Sequence, residues 1–93
     1  MKSILQEDSK CFFCKSNSWL EQHHVFGGAN RNKSEKYGLT VILCHFCHNE
    51  PPNGVHHNAY RNKRLKEIAQ EVYMQYYNKT IEEFIKEFGK NYL

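Results

Sequence analysis

Residues Leu39–His48 read LTVILCHFCH, and this stretch decides the fold. Its first half is apolar and β-branched, which is typical of a buried strand. Its second half places two cysteines three positions apart directly after that strand, and a histidine follows the second cysteine. We therefore expect a strand over 39–43 that delivers a pair of metal-ligating thiols to the start of a helix.

An earlier cysteine pair completes the set of thiols. Cys11 and Cys14 have the same spacing as Cys44 and Cys47. Two such pairs supply the four thiolates of a tetrahedral zinc site, which has no open position, so we predict a structural Zn²⁺. The alternatives are four buried reduced cysteines or a redox pair.

The length and composition fit one small domain with a modest core. The chain has 93 residues, of which 40% are hydrophobic and 14% aromatic. We predict an α+β fold in a single domain over 1–93, with a loose N-terminus (1–10), a zinc-stapled core (11–57) and a helical part (58–93). No secretory signal or membrane span is visible in the sequence, so we expect a cytoplasmic protein and a reducing environment, which favours metal over disulfides.

Periodicity predicts the remaining elements. An aromatic and β-branched run predicts a strand over 19–26, and a polar, basic loop is expected over 29–38. Apolar residues at helical spacing predict a helix over about 58–77 and a shorter one over 81–88. Thr80 and Glu83 form a capping-box pattern at the start of the second helix.

Six histidines are clustered outside the C-terminal helices. They are His23, His24, His45, His48, His56 and His57. Successive strand residues point to opposite faces, so His23 and His24 are expected to do different work, one at a metal and the other near a substrate. His48 directly follows the last cysteine, so a zinc site would hold its imidazole rigidly.

These motifs together resemble the HNH endonuclease family. The resemblance rests on His23-His24-Val25-Phe26, the basic loop and the Cys44–His48 segment, and it covers residues 11 to about 66. Asn30-Arg31-x-x-Ser34 and Gly54-Val55-His56-x-Asn58 are further similar to small phage-encoded nucleases of the recombination-associated HNH group. The resemblance implies a treble-clef-like ββα-metal core with two C-terminal helices attached.

The resemblance also implies a role for individual histidines. His23, His48 and His56 match the ligands of a catalytic divalent ion, with His57 as the rival of His56, and His24 matches the general base. The implied activity is metal-dependent hydrolysis of DNA phosphodiester bonds that leaves 5′-phosphate and 3′-hydroxyl ends. Mg²⁺, Mn²⁺, Ni²⁺ and Zn²⁺ are all candidates for the catalytic ion.

The sequence departs from the family at the middle asparagine, which normally orients the base. Lys36-Tyr37-Gly38 occupies that region. Asn30, Asn32 and a backbone carbonyl are the candidates to replace it.

The formal net charge is only +3, so the distribution of charge carries more information than its total. We predict that two basic clusters hold DNA phosphates without reading sequence. Their residues are Arg31, Lys33, Lys36, Arg61 and Arg64. A solvated surface is the alternative interpretation of both clusters.

Two further functions compete with the nuclease. One is a non-catalytic treble-clef zinc module that binds nucleic acid, which needs only the four cysteines. The other is a structural subunit whose histidines bind a second zinc in a closed site. The histidine cluster favours the nuclease, and the oligomeric state is left open by the sequence.

Overall fold

The computed structural model describes residues 1–93 and has a small α+β fold with one two-stranded sheet and four helices. The elements are β1 (Leu20–His24), α1 (Arg31–Tyr37), β2 (Thr40–Cys44), α2 (His45–His48), α3 (Ala59–Tyr76) and α4 (Ile81–Phe88). Single 3₁₀ turns lie at Gly28–Asn30 and Val55–His57. None of the helices combines the length and the apolar character that crossing a membrane requires.

The sheet is an antiparallel pair whose register places a cysteine, Cys44, at one end and a histidine, His24, at the other. Leu20 lies opposite Cys44, and His24 lies opposite Thr40. The predicted strands over 19–26 and 39–43 are confirmed as β1 and β2 with somewhat different bounds. β2 ends at Cys44 and passes directly into α2, so Cys47 and His48 follow within one helical turn.

The sequence predicted a loop over residues 29–38. That prediction is wrong, because most of the segment forms α1. Its helix lacks an apolar stripe and is held by specific polar contacts instead. The buried Ser34 hydroxyl accepts from the amide of Phe26 and donates to its carbonyl. Gly38 ends the helix at φ 76°, and a β-carbon there would lie 2.5 Å from the carbonyl oxygen of Lys2.

The N-terminal residues, expected to be loose, lie instead along the edge of β2 that faces away from β1. Ile4 donates its amide to the carbonyl of Gly38, and the Ser3 hydroxyl donates to the carbonyl of Thr40. The amide of Ile42 donates to the side-chain oxygen of Gln6 at 2.8 Å. This segment therefore satisfies backbone groups that an exposed edge strand would leave unpaired.

The two C-terminal helices agree with the sequence prediction to within one residue at each end. Asn58 caps α3 by accepting from the amide of Arg61, and Thr80 begins α4 with a complete capping box. Their buried faces pack against each other and against Phe26, which follows β1, in an aromatic core. Its rings belong to Phe26, Tyr73, Phe84 and Phe88.

Candidate metal centre

The four cysteines converge on one point between the N-terminal segment and the end of β2. Their sulfur atoms all lie within 4.8 Å of one another, and Sγ of Cys14 is 3.6 Å from Sγ of Cys44. Cys11 and Cys14 flank a tight turn in which Lys15 donates its amide to the carbonyl of Cys11. Sulfurs around a tetrahedral zinc lie about 3.8 Å apart, so the cluster can hold a structural zinc ion.

The protonation of the thiols agrees with a cluster that is completed by a cation. Burial opposes ionisation of Cys11, but hydrogen bonds from the amides of Cys14, Cys44 and Phe13 outweigh it and lower the pKa of Cys11 to about 6. Burial, with the neighbouring thiols Cys44 and Cys11, raises the pKa of Cys47 to about 12. The pKa is therefore lowered at Cys11 and raised at Cys47, and a bound divalent ion would favour the thiolate form of Cys47.

A second cluster brings together three histidines from distant parts of the chain. Nδ1 of His23 lies 3.3 Å from Nε2 of His48, and Nε2 of His56 lies 3.0 Å from the same atom. Nitrogen ligands of a tetrahedral zinc lie about 3.4 Å apart, so these three atoms fit one small divalent ion. The structure thus groups His56 with His23 and His48, whereas His57 is exposed and outside the cluster.

Gly54 determines where the third histidine lies. A β-carbon at Gly54 would come within 2.9 Å of the backbone nitrogens of Asn49 and Glu50. The absence of a side chain lets the Val55–His57 turn approach α2 closely, and Gly54 donates its amide to the carbonyl of Glu50 at 2.7 Å. His56 consequently reaches His48 across a short loop.

Burial favours the neutral, metal-binding form of His23. Desolvation is the largest cause, and the neighbouring His48 and His56 add repulsion, so the pKa of His23 falls to about 3. The pKa of His56 is also lowered, first by burial and then by His48. Neutral imidazoles are the form that coordinates a metal, so the lowered pKa of His23 and of His56 favours metal binding by these two residues.

A carboxylate from β1 orients His48. Nδ1 of His48 donates to Oε1 of Glu21 at 2.7 Å, and Asn49 donates to the same oxygen at 3.0 Å. The other oxygen, Oε2, lies 3.1 Å from Nδ1 of His45. Hydrogen bonds from His48 and then His45 lower the pKa of Glu21, so the carboxylate is ionised at neutral pH. With Nδ1 of His48 committed to Glu21, Nε2 is left with its lone pair facing the other two histidines.

His24 lies beside the cluster and has its own carboxylate partner. Nε2 of His24 is 2.8 Å from Oε2 of Glu35, a residue of α1. This hydrogen bond is the largest cause of the lowered pKa of Glu35. Asn30, one of the residues expected to orient the base, instead donates its side-chain amide to the carbonyl of Phe88.

A polar pocket of about 280 Å³ joins these groups. It is lined by Gln22, His23, His24, Gly27, Arg31, His48 and His56. His24 reaches the same pocket as His23 because the strand ends at this residue and the chain then turns at Gly27. One guanidinium, one histidine held by a carboxylate and three convergent imidazoles thus face a common space.

Of the five basic residues predicted to hold DNA, only Arg31 lines this pocket. The ammonium of Lys33 donates to the carbonyl of Glu87, and that of Lys36 lies 5.1 Å from the ring centroid of Tyr37. The guanidinium of Arg61 lies 4.8 Å above the ring of Phe13, and Arg64 is 3.7 Å from the carboxylate of Glu67. These four side chains make contacts within the protein away from the pocket.

Sequence reasoning missed both carboxylates of the site. Glu21 lies two residues before His23, so alternation along β1 was a usable signal that these two side chains share a face. Glu35 gave no such signal, because its placement depends on the unexpected helix α1. His45, which had no predicted role, stacks on Trp19 with ring centroids 4.3 Å apart and contacts both Glu21 and Glu50.

Comparison with protein-family models, curated proteins and solved structures finds no match to this chain.

Proposed function

We propose that the chain is a small metal-dependent endonuclease of the HNH type that hydrolyses phosphodiester bonds in DNA. The observation that carries the proposal is the convergence of His23, His48 and His56 within 4.8 Å at a pocket that also contains His24. A zinc module that only binds nucleic acid has no need of this second cluster. The order of the cysteine turn, the hairpin and α2 further supports a treble-clef-like scaffold around the zinc.

The three imidazoles would hold a divalent ion and leave coordination positions facing the pocket. When bound, such an ion supplies Lewis acidity to a phosphate oxygen and stabilises charge on the leaving oxygen. The donors would be Nδ1 of His23 and the Nε2 atoms of His48 and His56. Glu21 contributes by holding His48 in the tautomer that exposes Nε2.

His24 is the proposed general base. Its Nε2 donates to Glu35, so Nδ1 carries the lone pair that accepts the proton of an attacking water. Glu35 holds the imidazole in this tautomer and stabilises the imidazolium that forms on proton transfer. In this proposal Glu35 takes the orienting role of the family's middle asparagine.

Arg31 is the proposed phosphate-binding residue of the pocket. Its guanidinium lines the same space as the histidines and makes no ion pair within the chain. A guanidinium can hold two oxygens of one phosphate at once, which fixes the backbone in position without selecting a sequence.

Plasmid cleavage tests this proposal. Supercoiled DNA is incubated with the purified chain and Mg²⁺, Mn²⁺, Ni²⁺ or Zn²⁺, and the nicked and linear products are measured on a gel. His24→Ala should fold, retain both metals and cleave at least about a hundredfold more slowly. His57→Ala is the matched control, since His57 is exposed and outside the cluster, and it should cleave normally.

Metal binding separates the two kinds of histidine. His23→Ala and His48→Ala should lose the second metal, whereas His24→Ala should keep it. If His24→Ala loses the metal while His23→Ala keeps it and stops cleaving, the two roles are exchanged. If the wild-type chain fails to cleave DNA with every one of these four ions, the nuclease proposal is wrong. A zinc module that binds nucleic acid without cleaving it then replaces the proposal.

A further inference from the structure

A second cleft, distinct from the histidine pocket, is lined by three lysines. It lies between the start of α3 and the C-terminal segment and has a volume of about 360 Å³. Its lining residues are Ala59, Asn62, Lys63, Lys66, Lys90 and Tyr92. No acidic side chain lines it, and none of the three ammonium groups forms an ion pair.

Two of these ammonium groups converge on the same aromatic ring. The Nζ atoms of Lys66 and Lys90 lie 5.6 Å and 5.3 Å from the ring centroid of Tyr92. Tyr92 is fixed in place because its amide donates to the buried Gln70 side chain at 2.8 Å. Convergent cations repel one another, and a bound anion would turn that repulsion into attraction.

The cleft begins a short distance along the chain from the histidine pocket. Its first lining residue, Ala59, begins α3 only three positions after His56. Three residues of chain span at most about 11 Å, so the start of the cleft is close to His56. A polyanion that enters the histidine pocket can therefore extend over the lysine cleft.

Three other basic side chains are less available to a ligand. Lys33 and Arg61 donate to backbone carbonyls, and Arg64 lies close to the carboxylate of Glu67. Lys63, Lys66 and Lys90 have no such partners, so their charge is available to a ligand.

We propose that Lys63, Lys66 and Lys90 form a phosphate subsite that binds the DNA backbone next to the cleavage site. This inference rests on the proposed function, and its three lysines are not among the five basic residues that the sequence predicted to hold DNA. Ammonium groups bind phosphates as point charges, so the subsite should add affinity without base preference.

The salt dependence of DNA binding tests the subsite. Binding of a labelled duplex is measured between 50 and 200 mM salt for the wild type, Lys66→Gln/Lys90→Gln and the control Lys33→Gln/Lys36→Gln. Affinity falls as salt rises, and each lost phosphate contact makes the slope of log affinity against log salt less steep by about 0.9. Over this range the wild type should therefore lose roughly tenfold more affinity than the cleft variant.

The control variant removes the same charge and should keep the wild-type slope. Lys63→Gln and Lys36→Gln, both at exposed positions, repeat the comparison with single changes in case a double variant folds poorly. Equal slopes for the cleft and control variants, in a wild type that binds and cleaves DNA, would overturn the subsite alone. A wild type that neither binds nor cleaves DNA would overturn the proposed function and the subsite together.

Discussion

The half that contains the cysteine and histidine clusters, residues 11–57, and the helical half, residues 58–93, depend on different interactions. The first half has a two-stranded sheet, which is marginal by itself in water, and a cysteine cluster that can bind zinc. The helical half buries rings in direct contact, with Phe84 and Phe88 centroids 4.6 Å apart. Phe26 packs against both rings and joins the halves. We therefore expect metal removal to lower the stability of residues 11–57 far more than that of residues 58–93.

Removing one zinc ligand should have the largest effect on this comparison. Cys14 is exposed, so Cys14→Ser removes a thiolate while disturbing little packing. Zinc binding in small zinc modules contributes about 10 kcal/mol or more to folding, so the variant should lose zinc and its sheet. Metal analysis and circular dichroism measure both results.

Asn17→Ser, at an exposed position three residues further on, is the matched control and should retain the metal. A Cys14→Ser protein that keeps one zinc per chain and the wild-type Tm would contradict the structural zinc. Folded wild-type protein without zinc would contradict it equally.

A change behind the histidine cluster should have a smaller and more local effect. Glu21→Gln keeps a side chain of similar size but weakens the acceptor that holds Nδ1 of His48. Loss of such a partner typically lowers metal affinity by about 10- to 100-fold. Titration with Co²⁺ or Zn²⁺ should show this loss at the histidine site while the cysteine site stays occupied.

Glu50→Gln is the control for Glu21→Gln, since Glu50 contacts His45 but no histidine of the cluster. It should leave the affinity of the histidine site unchanged. Equal affinities in wild type and Glu21→Gln would show that Glu21 does not position His48. A wild type with no second metal site would instead count against the nuclease proposal.

Sequence patterns predicted the helices of the helical half well because the interactions that define them are local in the chain. The spacing of Leu65, Ala69 and Tyr73 fixes the buried face of α3, and the capping box fixes where α4 begins. Such interactions join residues three or four positions apart, so one sequence contains the whole signal.

The candidate site was only partly predictable because it is assembled over long separations. The cysteine spacing predicted one cluster, and the family resemblance suggested which histidines form the other. Glu35 was missed because helix α1 depends on the buried Ser34, which bonds to Phe26 eight residues earlier. The lysine cleft was missed because Lys90 joins Lys63 and Lys66 only when the C-terminal segment folds back on α3.

The smallest predicted effect is at the capping box of α4, in the half that should not respond to metal. The Thr80 hydroxyl accepts from the amide of Glu83, and the Glu83 carboxylate accepts from the amide of Thr80. Thr80→Ala should cost about 1 kcal/mol of unfolding free energy. In a chain of this size that lowers the Tm by roughly 4–8 °C, with zinc content and cleavage unchanged.

The pH dependence of stability isolates the carboxylate of that cap. The backbone hydrogen bond from Thr80 is the largest cause that lowers the pKa of Glu83 below its ordinary value of 4.5. Since the folded pKa is depressed, this stabilisation is present above about pH 4.5 and is lost as the pH falls below it. Glu83→Gln keeps an acceptor for the cap but cannot titrate. As the pH falls from about 6 to roughly 3.5, the wild type should therefore lose more unfolding free energy than Glu83→Gln. Acid loss of zinc affects both proteins alike, so it does not contribute to this difference. A difference that stays constant over this range would show that the carboxylate does not stabilise α4.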